Sequence, residues 1–107
     1  MDAFVRGVQG GLSMNGFNMK QFVQERDEAF RSLDKEKIIA YCKKYNVNIP
    51  QDEKVLFAGV HKERLGITNI TVDEQVESAI WLLENGFKLP EYTSQEVIDR
   101  VLEVRLR

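Results

Sequence analysis

Four stretches of this 107-residue chain carry their own helix start signals, and these signals constrain the fold more than anything else in it. Asp34, Pro50, Thr71 and Thr93 each stand just before or at the start of an apolar-periodic run. Three of the runs then meet Asn46, Gly66 or Gly86, residues that readily take the left-handed backbone of a helix C-cap. The pattern predicts an all-α protein: a compact bundle of four to five short helices.

The first long helix is expected from Met19 to Ser32, with Asn18 as N-cap. Met19, Phe22, Val23, Ala29, Phe30 and Leu33 form its apolar stripe at spacings of three and four. Arg26 sits within that stripe, where an unpaired charge would be very costly. It must snorkel, meet a ligand, or find a carboxylate, and the geometry of its neighbours points to a partner from another helix.

Asp34 caps a second helix, Lys35 to Tyr45, with a core side of Ile38, Cys42 and Tyr45. Pro50 suits the first turn of a third helix, with Asp52 and Glu53 at its positive end. Leu56, Phe57, Val60 and Arg64 share its inner face, and Gly59 reads as a point where another backbone passes closely. Thr71 to Glu74 forms a capping box ahead of the stripe Val72, Val76, Ala79, Ile80, Leu83 and Phe87. Trp81 and Leu82 fall off that stripe and imply packing on two sides. Thr93 to Glu96 reads as a second capping box.

Two domain-level features flank the helices. Residues 1–18 hold four of the seven glycines and are expected to be a flexible Gly-rich arm, leaving 19–107 as the helical domain. At the other end, residues 102–107 alternate apolar and charged side chains, so a short terminal strand competes with helix there.

Bulk properties narrow the function. A net charge of −2 argues against whole-molecule attraction to nucleic acid or anionic lipid. The sign is uneven, however: residues 31–64 carry eight basic side chains against five acidic, while 71–103 carry eight acidic against two basic. One cysteine permits no intrachain disulfide, and no apolar run approaches a membrane span or a signal peptide. A cytoplasmic protein without a membrane role is expected.

Few side chains could carry chemistry. His61 is the only histidine, so any triad or dyad must use it as base, between a hydroxyl nucleophile and a buried acid. One His and one Cys leave no zinc site within a chain, and no metal or cofactor is expected. The arm lacks the Gly-Lys-Ser/Thr ending of a phosphate loop. The most suggestive patch lies on the second helix. There Lys37, Tyr41, Lys44 and Tyr45 recur at steps of three or four, and Arg64 and Lys62 could approach from the third helix. Cations beside tyrosine rings suit an anionic ring ligand or single-stranded nucleotides. The candidate ligand-binding residues are therefore Arg26, Lys37, Tyr41, Lys44, Tyr45, His61 and Arg64.

The stretch from Glu25-Arg26-Asp27-Glu28-Ala29 through Tyr41-Cys42-Lys43-Lys44-Tyr45, Phe57-Ala58-Gly59-Val60-His61-Lys62 and Trp81-Leu82 to Asn85-Gly86-Phe87 resembles short helical proteins of Gram-positive bacteria and their phages or prophages. The resemblance covers about residues 19–88 and implies a compact helical protein with no catalytic residues to carry over. The leading expectation is a non-catalytic cytoplasmic binding protein, phage- or prophage-borne and homo-oligomeric. It would occlude a host defence or regulatory protein or sequester a small anionic ligand. The alternatives are nucleotide or nucleic-acid binding through the Lys/Tyr patch, and a small enzyme using His61.

Overall fold

The structure, a computed structural model, describes residues 18–105. Five helices follow one another: α1 (Met19–Ser32), α2 (Lys35–Lys44), α3 (Glu53–Arg64), α4 (Val72–Glu84) and α5 (Gln95–Arg105). The all-α expectation holds, and no strand occurs among the described residues. The alternating tail stays helical through Arg105 because Val97 and Val101, one turn apart, bury themselves at 1% and 2% exposure. The arm expected over 1–18 lies outside the described residues except for Asn18, as do residues 106 and 107.

The helix starts follow local capping chemistry. The side chains of Asn18, Asp34 and Asp52 accept the amides of Gln21, Glu36 and Lys54, at 3.1, 2.9 and 2.8 Å. Thr71 and Glu74 satisfy each other's free amides as a complete capping box. Two starts differ from expectation. Pro50 stays in the extended link, because Asp52 captures the first-turn amide and the helix begins at Glu53. Thr93 is buried with its hydroxyl donating to the Pro90 carbonyl at 2.6 Å, so Ser94 accepts the Val97 amide instead and the second capping box does not form.

The stops also divide. Asn46 and Gly86 take left-handed backbone, with φ of 56° and 84°. The Val47 and Phe87 amides then reach back five residues to the Cys42 and Leu82 carbonyls, both at 2.8 Å. Leu33, which carries no such signal, is also left-handed, at φ 57°. Gly66 is not. A side chain from α4 closes α3 instead: Gln75 Nε2 donates to the carbonyls of Arg64, Leu65 and Ile67 at 3.2, 3.3 and 3.1 Å. That removes the need for a left-handed residue.

Helix α3 is the spine. It packs on α1 at one side and α4 at the other, while α2 covers α1 and α5 covers α4. Leu56 and Val60 of α3 join Phe30, Ile38, Tyr41 and Cys42 in one core. Ala58 and Leu65 join Val76, Ala79, Leu82, Val97 and Val101 in a second. Because α4 is sandwiched between α3 and α5, Leu82 is fully buried and Leu83 only half-buried. Glu74 ties the two halves, receiving Arg31 of α1 at 3.0 and 3.1 Å. No described helix is long and apolar enough to cross a membrane.

Candidate functional site

A groove crosses the surface where α1, α2 and α3 diverge. Its first half encloses about 550 Å³ over an apolar floor of Phe22, Phe30, Tyr41, Cys42, Leu56 and Val60. Burial pushes the Cys42 thiol above its usual range, so the floor stays uncharged at neutral pH. Val47, Val55 and Tyr92 extend the apolar surface outward at 38%, 47% and 57% exposure, and Arg26, Asn48, Lys62 and Glu63 supply polar groups around it. The second half, about 740 Å³, runs beside residues 65–68, Ile70, Val72 and Gln75. The halves meet at Arg26, Glu63 and Tyr92, which line both. Local geometry holds Tyr92 upright, its phenol donating to the Lys62 carbonyl at 2.6 Å.

Arg26 thus stands at the middle of the groove. Its Nε and Nη2 donate to Asp27 Oδ1 at 3.2 and 3.1 Å. The partner is its own neighbour in α1, not a residue from another helix as expected. Both side chains are half-buried at the edge of the stripe, and the long guanidinium can lie sideways along the helix to reach the carboxylate.

The lysine–tyrosine patch on α2 is not assembled as a stacking platform. Tyr41 is buried, with its ring 5.7 and 5.6 Å from those of Phe22 and Phe30. Tyr45 is half-buried edge-on to Phe22 at 4.9 Å. Lys44 Nζ and the Tyr45 hydroxyl both donate to Glu25, at 2.9 and 2.8 Å. Gln21 donates to the same carboxylate, and the three hydrogen bonds hold Glu25 down at a pKa of about 2. Lys37 stays exposed, and Arg64 lies in the interior rather than beside it.

Arg64 belongs to a sealed polar cluster between α3 and α4. At 2% exposed, it donates through Nη1 to Ser78 Oγ at 2.7 Å, and Nη2 lies 3.8 Å from Glu74. His61 Nδ1 is 2.9 Å from the same hydroxyl. Accepting from Arg64 leaves Ser78 Oγ one proton to give and one lone pair to receive with, so it pairs with a neutral His61 in either tautomer. Burial, and then the Arg64 charge, lower the His61 pKa to about 4, which keeps the imidazole neutral at neutral pH. Trp81 stacks on the imidazole at 4.4 Å, and Ser78 is wholly buried. A serine and a histidine are therefore paired, but no carboxylate is bonded to His61 among the described residues, and neither groove half reaches the pair. Arg64 Nε has no hydrogen-bond partner.

Ser78 and Tyr92 escape reading from sequence, though Ser78 leaves a trace: it is a small polar residue directly before Ala79, within the apolar stretch of α4 that builds the second core. Among the described residues no cluster of His, Cys, Asp and Glu could hold a metal ion. No protein-family model, curated protein or solved structure matches this chain.

Proposed function

We propose that the protein is a non-catalytic binding protein and that the groove is its working surface. One observation carries the reading: the groove is open over an apolar floor, with exposed Val47, Val55 and Tyr92 among polar groups at its edge, while the Ser78–His61–Arg64 cluster is buried. Exposed contiguous apolar surface rimmed by polar groups marks a place where another chain is covered. Tyr92 and Arg26, residue types favoured at the centre of interfaces, sit together at its midpoint.

The partner is an apolar segment of another protein. In the phage or prophage setting that the resemblance suggests, it is a host defence or regulatory factor held by occlusion in the cytoplasm. The test is native mass spectrometry of the protein purified from its own host. The wild-type chain should retain a bound protein, and Val55→Glu should lose it. Reversing the charges of Lys37 and Lys44 should leave retention unchanged. Loss of binding in that charge-reversed variant alone would return function to the α2 lysines and an anionic ligand.

A further inference from the structure

We propose that Asn85 is a modification site: it deamidates when the C-terminal turn of α4 opens, and the product cannot close that turn again. Neither groove half is lined by Asn85, Gly86 or Phe87, so the proposal stands or falls apart from the groove.

The sequence supplies the reactive pair. Gly86 follows Asn85, and a glycine nitrogen approaches the asparagine amide with no side chain of its own in the way. In the reaction the Gly86 nitrogen loses its proton and bonds to Asn85 Cγ, while the side-chain nitrogen leaves as ammonia. Water then opens the cyclic imide at either carbonyl. One opening gives aspartate, the other isoaspartate, whose main chain runs through one extra carbon. Water is the only co-reactant.

The closed turn holds the reacting atoms apart. Asn85 has φ −99° and ψ 12°, which keeps the Gly86 nitrogen across the Cα–C bond from the side chain. The Gly86 amide donates to the Leu83 carbonyl at 3.2 Å, and Asn85 Nδ2 donates to the Trp81 carbonyl at 2.8 Å. Left-handed Gly86 lets the Phe87 amide reach Leu82, and the Phe87 ring lies parallel to Trp81 at 6.1 Å. This is nevertheless a helix end at the surface. Gly86 is exposed, and Asn85 is half-buried beside a cavity of about 460 Å³. Such an end opens at a lower cost than the whole fold.

The product fits badly. A carboxylate has no proton to give the Trp81 carbonyl. It also adds charge at the negative end of α4, whose last turn holds Glu84 and no basic residue. Glu53 and Lys54 line the same cavity with opposite signs, so neither sign prevails there. Isoaspartate instead lengthens the main chain inside the ring that the Phe87–Leu82 bond closes. Either product loosens Phe87 from Trp81, and Trp81 is stacked on buried His61 at 4.4 Å.

The test follows the full-length chain at neutral pH by peptide mapping with mass spectrometry. Mapping is needed because Asn15-Gly16 carries the same pair. Asn85 should deamidate more slowly in the folded chain than in urea, by roughly ten- to a thousandfold, the factor set by opening the turn. Phe87→Ala, checked for folding by circular dichroism, should bring the folded rate most of the way to the denatured one. Asn85→Asp installs the product from the start. It should melt below Asn85→Ala, since it adds a charge as well as removing a donor. Emission from Trp81, the only tryptophan, should move to longer wavelength in it.

Equal rates in folded and denatured chains would overturn the proposal, because the turn would then protect nothing. Slowing as large as the global unfolding constant would overturn it too, because no local opening would be at work. A Phe87→Ala rate matching wild type, or an Asn85→Asp chain with wild-type melting and emission, would do the same. If Phe87→Ala fails to fold, the Asn85→Asp comparison decides.

Discussion

The ring of Tyr92 rests on Gly66: a Cβ built on that glycine would lie 3.2 Å from Tyr92 Cε1. The glycine is needed for room rather than for backbone conformation. Gly66→Val should push the ring off its seat and break its bond to the Lys62 carbonyl, destabilising by about 1–3 kcal/mol. Urea denaturation of Gly66→Val, Tyr92→Ala and the double variant would check this. The two effects should be strongly non-additive, with Gly66→Val costing little once the ring is gone.

Gly59 behaves in the opposite way. Nothing stands within 4 Å of its absent Cβ, so Gly59→Ala should raise stability by about 0.5–1 kcal/mol through helix propensity alone. A thermal melt showing a lower midpoint would mean that some part of the chain does press on this position.

Gln75 closes α3 by donating to three carbonyls. Gln75→Ala should cost about 1–3 kcal/mol, because partly buried acceptors lose their donor. Gln75→Glu should be worse than alanine despite its closer shape, since a carboxylate would face carbonyl oxygens with nothing to donate. Equal stability of the two variants would show that solvent satisfies the carbonyls instead.

Ser78 is the acceptor that makes a buried Arg64 tolerable. Ser78→Ala should cost about 2–3 kcal/mol by leaving the guanidinium with only a distant Glu74 and its orphaned Nε. Ser78→Thr keeps the hydroxyl and crowds the seam, so it should fall between alanine and wild type in a urea titration.

Acid should weaken the fold in two pH windows. The His61 pKa is lowered from 6.5 to about 4, so between these values the unfolded chain binds a proton that the folded one refuses. Stability therefore falls as pH drops through that window, by up to about 3 kcal/mol. Glu25 and Glu74 are lowered from 4.5 to about 2 by their hydrogen bonds, so their contribution is present above pH 4.5 and disappears below it. Stability measured against pH in His61→Asn should lose the upper step and keep the lower. A wild-type curve flat from pH 6.5 to 4 would mean the folded state accepts the proton.

Of the site, only fragments were legible in advance. Position in an apolar stripe singles out Arg26, which stands at the centre of the groove, tied to Asp27. Spacing groups Tyr41 and Arg64 with the α2 lysines, yet one lies in the first core and the other on the side of the spine helix that meets α4. The groove is a gap between three helices and Tyr92, and no spacing along the chain encodes a gap.

Helix positions were decided locally. Asn18, Asp34 and Thr71 act on amides two or three residues away, and Asn46 and Gly86 on carbonyls just behind them, so residue type and short spacing suffice. Packing decided the rest. Successive helical residues point about 100° apart, so whether Leu82 or Leu83 faces the core depends on which neighbours press on α4 from either side. The Tyr92–Gly66 seat with its bond to Lys62, the Gln75 closure and the Ser78–His61 pair join residues 8 to 30 positions apart. Contacts at that range exist only after the helices have docked.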